Sequence, residues 1–235
     1  MSNGFRPDAP PEMAPARARE ILASRGVADD AALLGVRGFF GAMGASPGND
    51  PGIYDDAVFL VTPERCDGYI FNTDPTRFTP PNVTLKPGVT RYKPGTHTSP
   101  KTHESYAALV QSGLPGEVAW VVARPRPDNL KDYCTFAKSP GVALDRVLGT
   151  VEEYQDALRS RGGRLNADGS IEWPMKQHIN IHRGGDTDPG SMGCQTVHPS
   201  AWPGFIRAVY DELERRGQPH VPYLLIEAAD LPPGA

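Results

Sequence analysis

Residues 178–196 read His-Ile-Asn-Ile-His-Arg-Gly-Gly-Asp-Thr-Asp-Pro-Gly-Ser-Met-Gly-Cys-Gln-Thr and hold one thiol, two imidazoles and four glycines. A cysteine attacks a carbonyl only as its thiolate, so it needs a base or cation beside it and backbone that lets a substrate approach. His182 and Cys194 stand on either side of a glycine-rich bend, and one turn of the chain can bring base to sulfur. This combination points to cysteine acyl transfer.

If residues 178–182 form a strand, alternation places His178, Asn180 and His182 on one face and Ile179 and Ile181 on the core face. His182 is then the base for Cys194, with Asn180, His178, Asp186 or a backbone carbonyl fixing its tautomer. Gly193 leaves room beside the nucleophile. The amides from Met192 to Cys194 can supply an oxyanion hole, an arrangement worth ~10²–10³ in rate per donor. Ser191 is read as orienting His182 or a substrate carbonyl. Arg183 suits bidentate pairing with a substrate carboxylate, and Gly184 with Asn180 and His178 completes the expected binding surface.

Two other readings compete with catalysis. Cysteine is commonly a small core residue. His178, His182, Cys194 and His198 also offer four zinc-type ligands, although their spacing is loose. Cys66 and Cys134 lack a His or Gly context and read as structural, while His97, His103 and His220 read as surface residues.

The elements that position these groups are mainly strands. Ala57–Val61, Tyr69–Asn72, Val89–Tyr92, Val118–Val122 and Val221–Glu227 have strand composition, and Leu165–Ile171 contains the Asp168-Gly169 pair of a tight hairpin. Helices are expected at Pro15–Arg25, His103–Ser112 and Val151–Ser160. A clearer one follows Pro199-Ser200, with Trp202, Phe205, Ile206, Val209 and Leu213 on one face and Gly217 beyond its end. Gly35–Gly52 reads as an irregular loop. The division is an N-terminal arm with a short helix over 1–30, mobile at its start, and one domain over 31–235.

The chain has 235 residues, a net charge of −4, and 25 each of glycine and proline, which suits a loop-rich β protein. Neither a basic footprint for nucleic acid nor an apolar run near the ~18 residues of a membrane span is present. Three cysteines are too few for a disulfide framework. Met1–Pro15 lacks the basic-then-apolar order of a secretory signal, so the expectation is synthesis as a soluble cytoplasmic protein. No cofactor is expected.

Ile181-His182, the glycine-rich turn and Ser191-Met192-Gly193-Cys194 together resemble the active-site signature of the L,D-transpeptidase (YkuD-like) family. The likeness extends loosely over residues 54–227, with Leu85–Tyr92 standing where that family has a Thr-Pro-x-Gly segment. Tyr54–Ala57 and Asn180–Gly185 are also similar to segments of phage-associated proteins. The resemblance implies a mainly β (α+β) fold, an L,D-transpeptidase-like β-sandwich with flanking helices. It also implies acyl transfer or hydrolysis on peptidoglycan stem peptides through a Cys194 thioester, with His182 as base. Met192 stands where the family has His, and Thr196 where it has Arg. Those departures keep open a non-catalytic cell-wall-binding or virion-associated protein on the same fold. Action at the cell wall would require lysis, phage delivery or non-classical export.

Overall fold

The computed structural model describes residues 6–41, 50–100, 102–144 and 146–231. Twelve strands and four α-helices make up the described chain. The fold is therefore mainly β with flanking helices, as expected. Its main sheet closes on itself, and a second sheet lies apart from it.

The barrel is built from β1 (Ala32–Arg37), β2 (Asp56–Val61), β3 (Cys66–Asn72), β5 (Gly88–Thr98), β6 (Ser105–Gln111), β10 (Ile181–Arg183), β11 (Gln195–Val197) and β12 (Val221–Glu227). Around its circumference they run β1-β12-β5-β6-β10-β11-β3-β2. The β1–β12 and β10–β11 pairs are parallel and the others antiparallel. The second sheet has the order β4 (Val83–Leu85), β7 (Ala119–Ala123), β9 (Ile171–Met175), β8 (Arg164–Leu165).

Alternation divides the barrel's apolar residues between two clusters. Leu33, Val58, Leu60, Val221, Tyr223 and Leu225 pack with Trp202, Phe205 and Val209 of α4 (Trp202–Arg216), and that cluster continues into the second sheet. The opposite face, including Leu34, Val36, Phe59 and Leu224, is covered by Ala18, Ile21 and Leu22 of α1 (Pro15–Ser24). Both faces of β1 and β2 are thus buried, and both strands are apolar throughout or nearly so. Two further helices, α2 (Leu130–Ala137) and α3 (Val151–Ser160), flank the structure. Thr150 and Glu153 form a reciprocal capping box at the start of α3.

Several local expectations are corrected. His103–Ser112 is not a helix: residues 105–111 are β6, paired along seven positions with β5. β1 runs on through residues 35–37 into the stretch read as loop, whose residues 42–49 fall outside the described ones. The arm does not hang free where it is described. Pro7 and Pro11 are buried, and Arg6 Nη1 donates to Ser200 Oγ at 3.1 Å.

One buried polar knot joins the two sheets. Arg37, 5% exposed, donates from Nη2 to the Thr73 and Leu85 carbonyls at 3.1 and 2.9 Å. Its other nitrogens meet Thr73 Oγ1, Asp74 and Glu227. Beside it, Asp56 accepts from the Gly38 and Thr73 amides at 2.6 and 2.5 Å. Burial, followed by Asp55 and Asp74, raises the Asp56 carboxyl well above the ordinary range, and burial raises Asp55 to about 7.

Candidate functional site: a cysteine–histidine cleft

The parallel pair β10–β11 sets His182 opposite Thr196 and Ile181 opposite Gln195, which leaves Cys194 at the threshold of β11. Strand geometry covers only residues 181–183, because His178 has φ +80° and a strand cannot hold that conformation. The expected alternation nevertheless holds for its neighbours. Ile179 and Ile181 are buried at 2% and 0% exposure, while Asn180 and His182 line the cleft, joined by an exposed His178.

That cleft has a volume of about 540 Å³. Cys194, Gly193, Arg183 and Gly184 line it together with His178, Asn180 and His182. Its other walls come from the β5–β6 hairpin (His97, Tyr106) and from Val83, Val142 and Met175. Seven of the eight expected site residues therefore meet in one depression. Ser191 is the exception, being buried beneath the turn.

The sulfur is held by main chain. The Asn180 amide donates to Cys194 Sγ at 3.4 Å, and the thiol donates to the His178 carbonyl at 3.2 Å. Burial pushes the thiol up to about 11, with the Asn180 amide pulling the other way. His182 is not among its hydrogen-bond partners.

His182 is 7% exposed, and its Nδ1 lies 2.8 Å from the Arg183 carbonyl. A carbonyl accepts only, so Nδ1 carries the proton and Nε2 the lone pair. Among the open candidates for the tautomer-fixing group, the backbone carbonyl is the one in place. Tyr106 Oη supports it, 3.4 Å from Nδ1 and 3.2 Å from the same carbonyl oxygen. Burial, and then the neighbouring His97, lowers the His182 imidazole to about 4, against the pull of the Arg183 carbonyl. The two rings are stacked with centroids 4.0 Å apart and planes 6° from parallel.

The roles read for Ser191 and Gly193 need correction. Ser191 Oγ accepts from the Gly193 amide at 2.9 Å and donates to the Cys194 carbonyl at 2.6 Å. It therefore shapes the turn that carries Cys194 and does not orient His182. The Gly193 amide is engaged by that hydroxyl, so it is not a donor for an oxyanion. No partner for the Cys194 amide is found among the described residues. Gly193 is required for another reason: at φ +149°, an added Cβ would meet Val83 Cγ2 at 2.7 Å and the Val83 carbonyl at 2.9 Å.

Arg183 is half-buried at the cleft mouth, paired with Glu104 at 3.0 Å and lying over the Tyr106 ring. A rim ion pair of this kind is worth ~0–1 kcal/mol, so an incoming carboxylate can displace it. Thr196 is fully buried and accepts from Asn72 Nδ2 at 3.4 Å, which leaves that position outside the cleft lining. Met192 is 52% exposed on the cleft wall.

The four-ligand zinc reading does not survive the geometry. His198 lies outside the cleft lining, with Nδ1 2.8 Å from Ser200 Oγ and its ring edge-on to Tyr54. Among the described residues, no group of three or more His, Cys, Asp or Glu side chains is placed to hold a metal ion. No helix of the described residues is long and apolar enough to cross a membrane.

The residue that sequence reading missed is His97, taken as a surface group. Its signal was the pairing of Thr96-His97-Thr98 with Tyr106, which becomes visible only once residues 105–111 are read as a strand. Comparison with family models, with curated proteins and with solved structures finds no match to this chain.

Proposed function

We propose that the cleft is the active site of a cysteine acyl transferase or peptidase of L,D-transpeptidase type, acting on peptidoglycan stem peptides. The observation that carries this reading is that Cys194 and a tautomer-fixed His182 line the same open cleft. His182 Nε2 takes the thiol proton as Sγ bonds to the peptide carbonyl carbon, and the negative charge develops on the carbonyl oxygen. The Cys194 amide is the available donor for that oxygen. Collapse breaks the C–N bond, the amine leaves with the proton from His182, and a thioester remains for an amine or water to attack. Arg183, released from Glu104, is the group suited to a stem-peptide carboxylate.

The resting electrostatics define the step. With the thiol pushed up to about 11 and the imidazole down to about 4, a thiolate–imidazolium pair is a minor species. Proton transfer therefore accompanies attack instead of preceding it. The same observation favours a second reading, in which the fold binds cell wall or a virion surface without turnover.

Two measurements separate these readings. Limited treatment with iodoacetamide, read by peptide mass, is expected to modify Cys194 faster than its burial-raised thiol would react unaided, and His182→Ala should slow it at least tenfold. Incubation with purified muropeptides should yield cleaved or exchanged stem peptides, and Cys194→Ala should abolish them. Equal, slow labelling of all three thiols with unchanged muropeptides would leave only the binding role.

A further inference from the structure

His97 has no place in the minimal reaction, yet its ring lies flat on the general base. It projects from β5 directly opposite Tyr106 of β6, with those two ring centroids 5.5 Å apart. The hairpin thus presents an imidazole and a phenol to His182 as a unit. Tyr106 reaches Nδ1 and the Arg183 carbonyl at the ring's edge, while His97 covers its face at 4.0 Å. Charged and titratable groups around this stack are Arg183 on β10, Glu104 at the hairpin's end, Cys194 at the start of β11, and Asp188 in the turn lining the cleft.

We propose that His97 is a positioning residue that locks the His182 ring against Tyr106 and keeps it an uncharged base by occupying the place where a second positive charge would be felt most. The inference rests on the reading of His182 as base. Two imidazolium rings at this separation repel strongly in a partly desolvated site, so the pair accepts one proton far more readily than two. His97 is half-buried and His182 buried, so the first proton goes to His97 and the inner ring keeps its lone pair. The direction of both imidazoles agrees, since each is depressed by burial and His182 additionally by His97.

The test uses His97→Phe, which keeps a flat ring without a proton site, and His97→Ala, which keeps neither. Their thermal melts are compared with the parent first, and His97→Gln replaces either one that fails to fold. The ring-proton NMR titration of His182 is expected to move to higher pH in His97→Phe by at least half a pH unit. An unchanged midpoint overturns the electrostatic role. The Cys194 alkylation plateau should fall several-fold in His97→Ala and be restored in His97→Phe. A fall of equal size in both, or in neither, overturns the positioning role. The NMR midpoint responds whether or not the protein turns over any peptide. If the midpoint shifts while His182→Ala leaves Cys194 alkylation unchanged, the proposed chemistry has failed and the coupling of the two rings has not.

Discussion

Ser191 shows how a residue inside a motif can act through its neighbours. Its hydroxyl holds both the Gly193 amide and the Cys194 carbonyl. Ser191→Ala leaves a buried amide and a part-buried carbonyl without that partner, at a cost of ~1–3 kcal/mol. Urea unfolding should register the loss, and Cys194 alkylation should slow while Cys66 alkylation does not. At this scale the sequence was a good guide to which residues gather and a poorer guide to what each does. Side-chain type and spacing brought His178, Asn180, His182, Arg183 and Cys194 to one cleft. They carried no information on hydrogen-bond direction, and direction is what removes the Gly193 amide from the oxyanion and assigns the tautomer to a carbonyl.

At the scale of elements, the knot between β1, β2 and the residues after β3 makes stability depend on pH. Asp55 has a folded value near 7 against an ordinary carboxylate value of 3.8. Between about 4 and 7 the native state therefore holds more protons than the unfolded chain, and this group's contribution is lost as pH rises through that window. His182 acts in the opposite sense. Its folded value near 4 lies below the ordinary 6.5, so its share of stability grows as pH rises over that range. The two slopes partly cancel in the parent, and Asp55→Asn removes only the first. Relative to the parent, Asp55→Asn should gain stability between pH 5 and pH 8 in urea titrations, its amide oxygen still able to accept from the Asp50 amide. Element identity was legible where burial is simple, as in β2, β12, α3 and α4. It failed at β6, where Tyr106, Leu109 and Val110 fit a helical spacing, because buried and half-buried residues occur on both faces of that strand. It failed also at β1, where Gly35 reads as a loop residue. An added Cβ there would collide with the Tyr223 ring, so the glycine is a packing requirement inside a strand.

At the scale of the whole molecule, Arg37 is one polar tie between barrel and second sheet, since it reaches Leu85 of β4 as well as Thr73 and Glu227. Arg37→Met removes the guanidinium that faces Asp74 and Asp56 while keeping much of the bulk. Leaving those carboxylates without it should cost about 3–5 kcal/mol, visible as a lower urea midpoint, with the deficit smaller as the pH falls, because burial already holds the Asp56 carboxyl well above its ordinary range and favours its protonated form. Mainly β architecture was legible from composition and turn chemistry. Barrel closure was not, because it depends on register between strands almost the whole chain apart. β1 lies between β2, its neighbour in sequence, and β12, near the other end of the described chain. As the ribosome makes the protein, β1 can pair along one side only, and β5 likewise waits for the same late strand. Until residues 221–227 emerge, the nascent sheet carries two bare backbone edges, and the cleft's hairpin hangs from one of them. A chain halted before that point has its thiol and its imidazoles in place along the sequence, but no closed wall to hold them together.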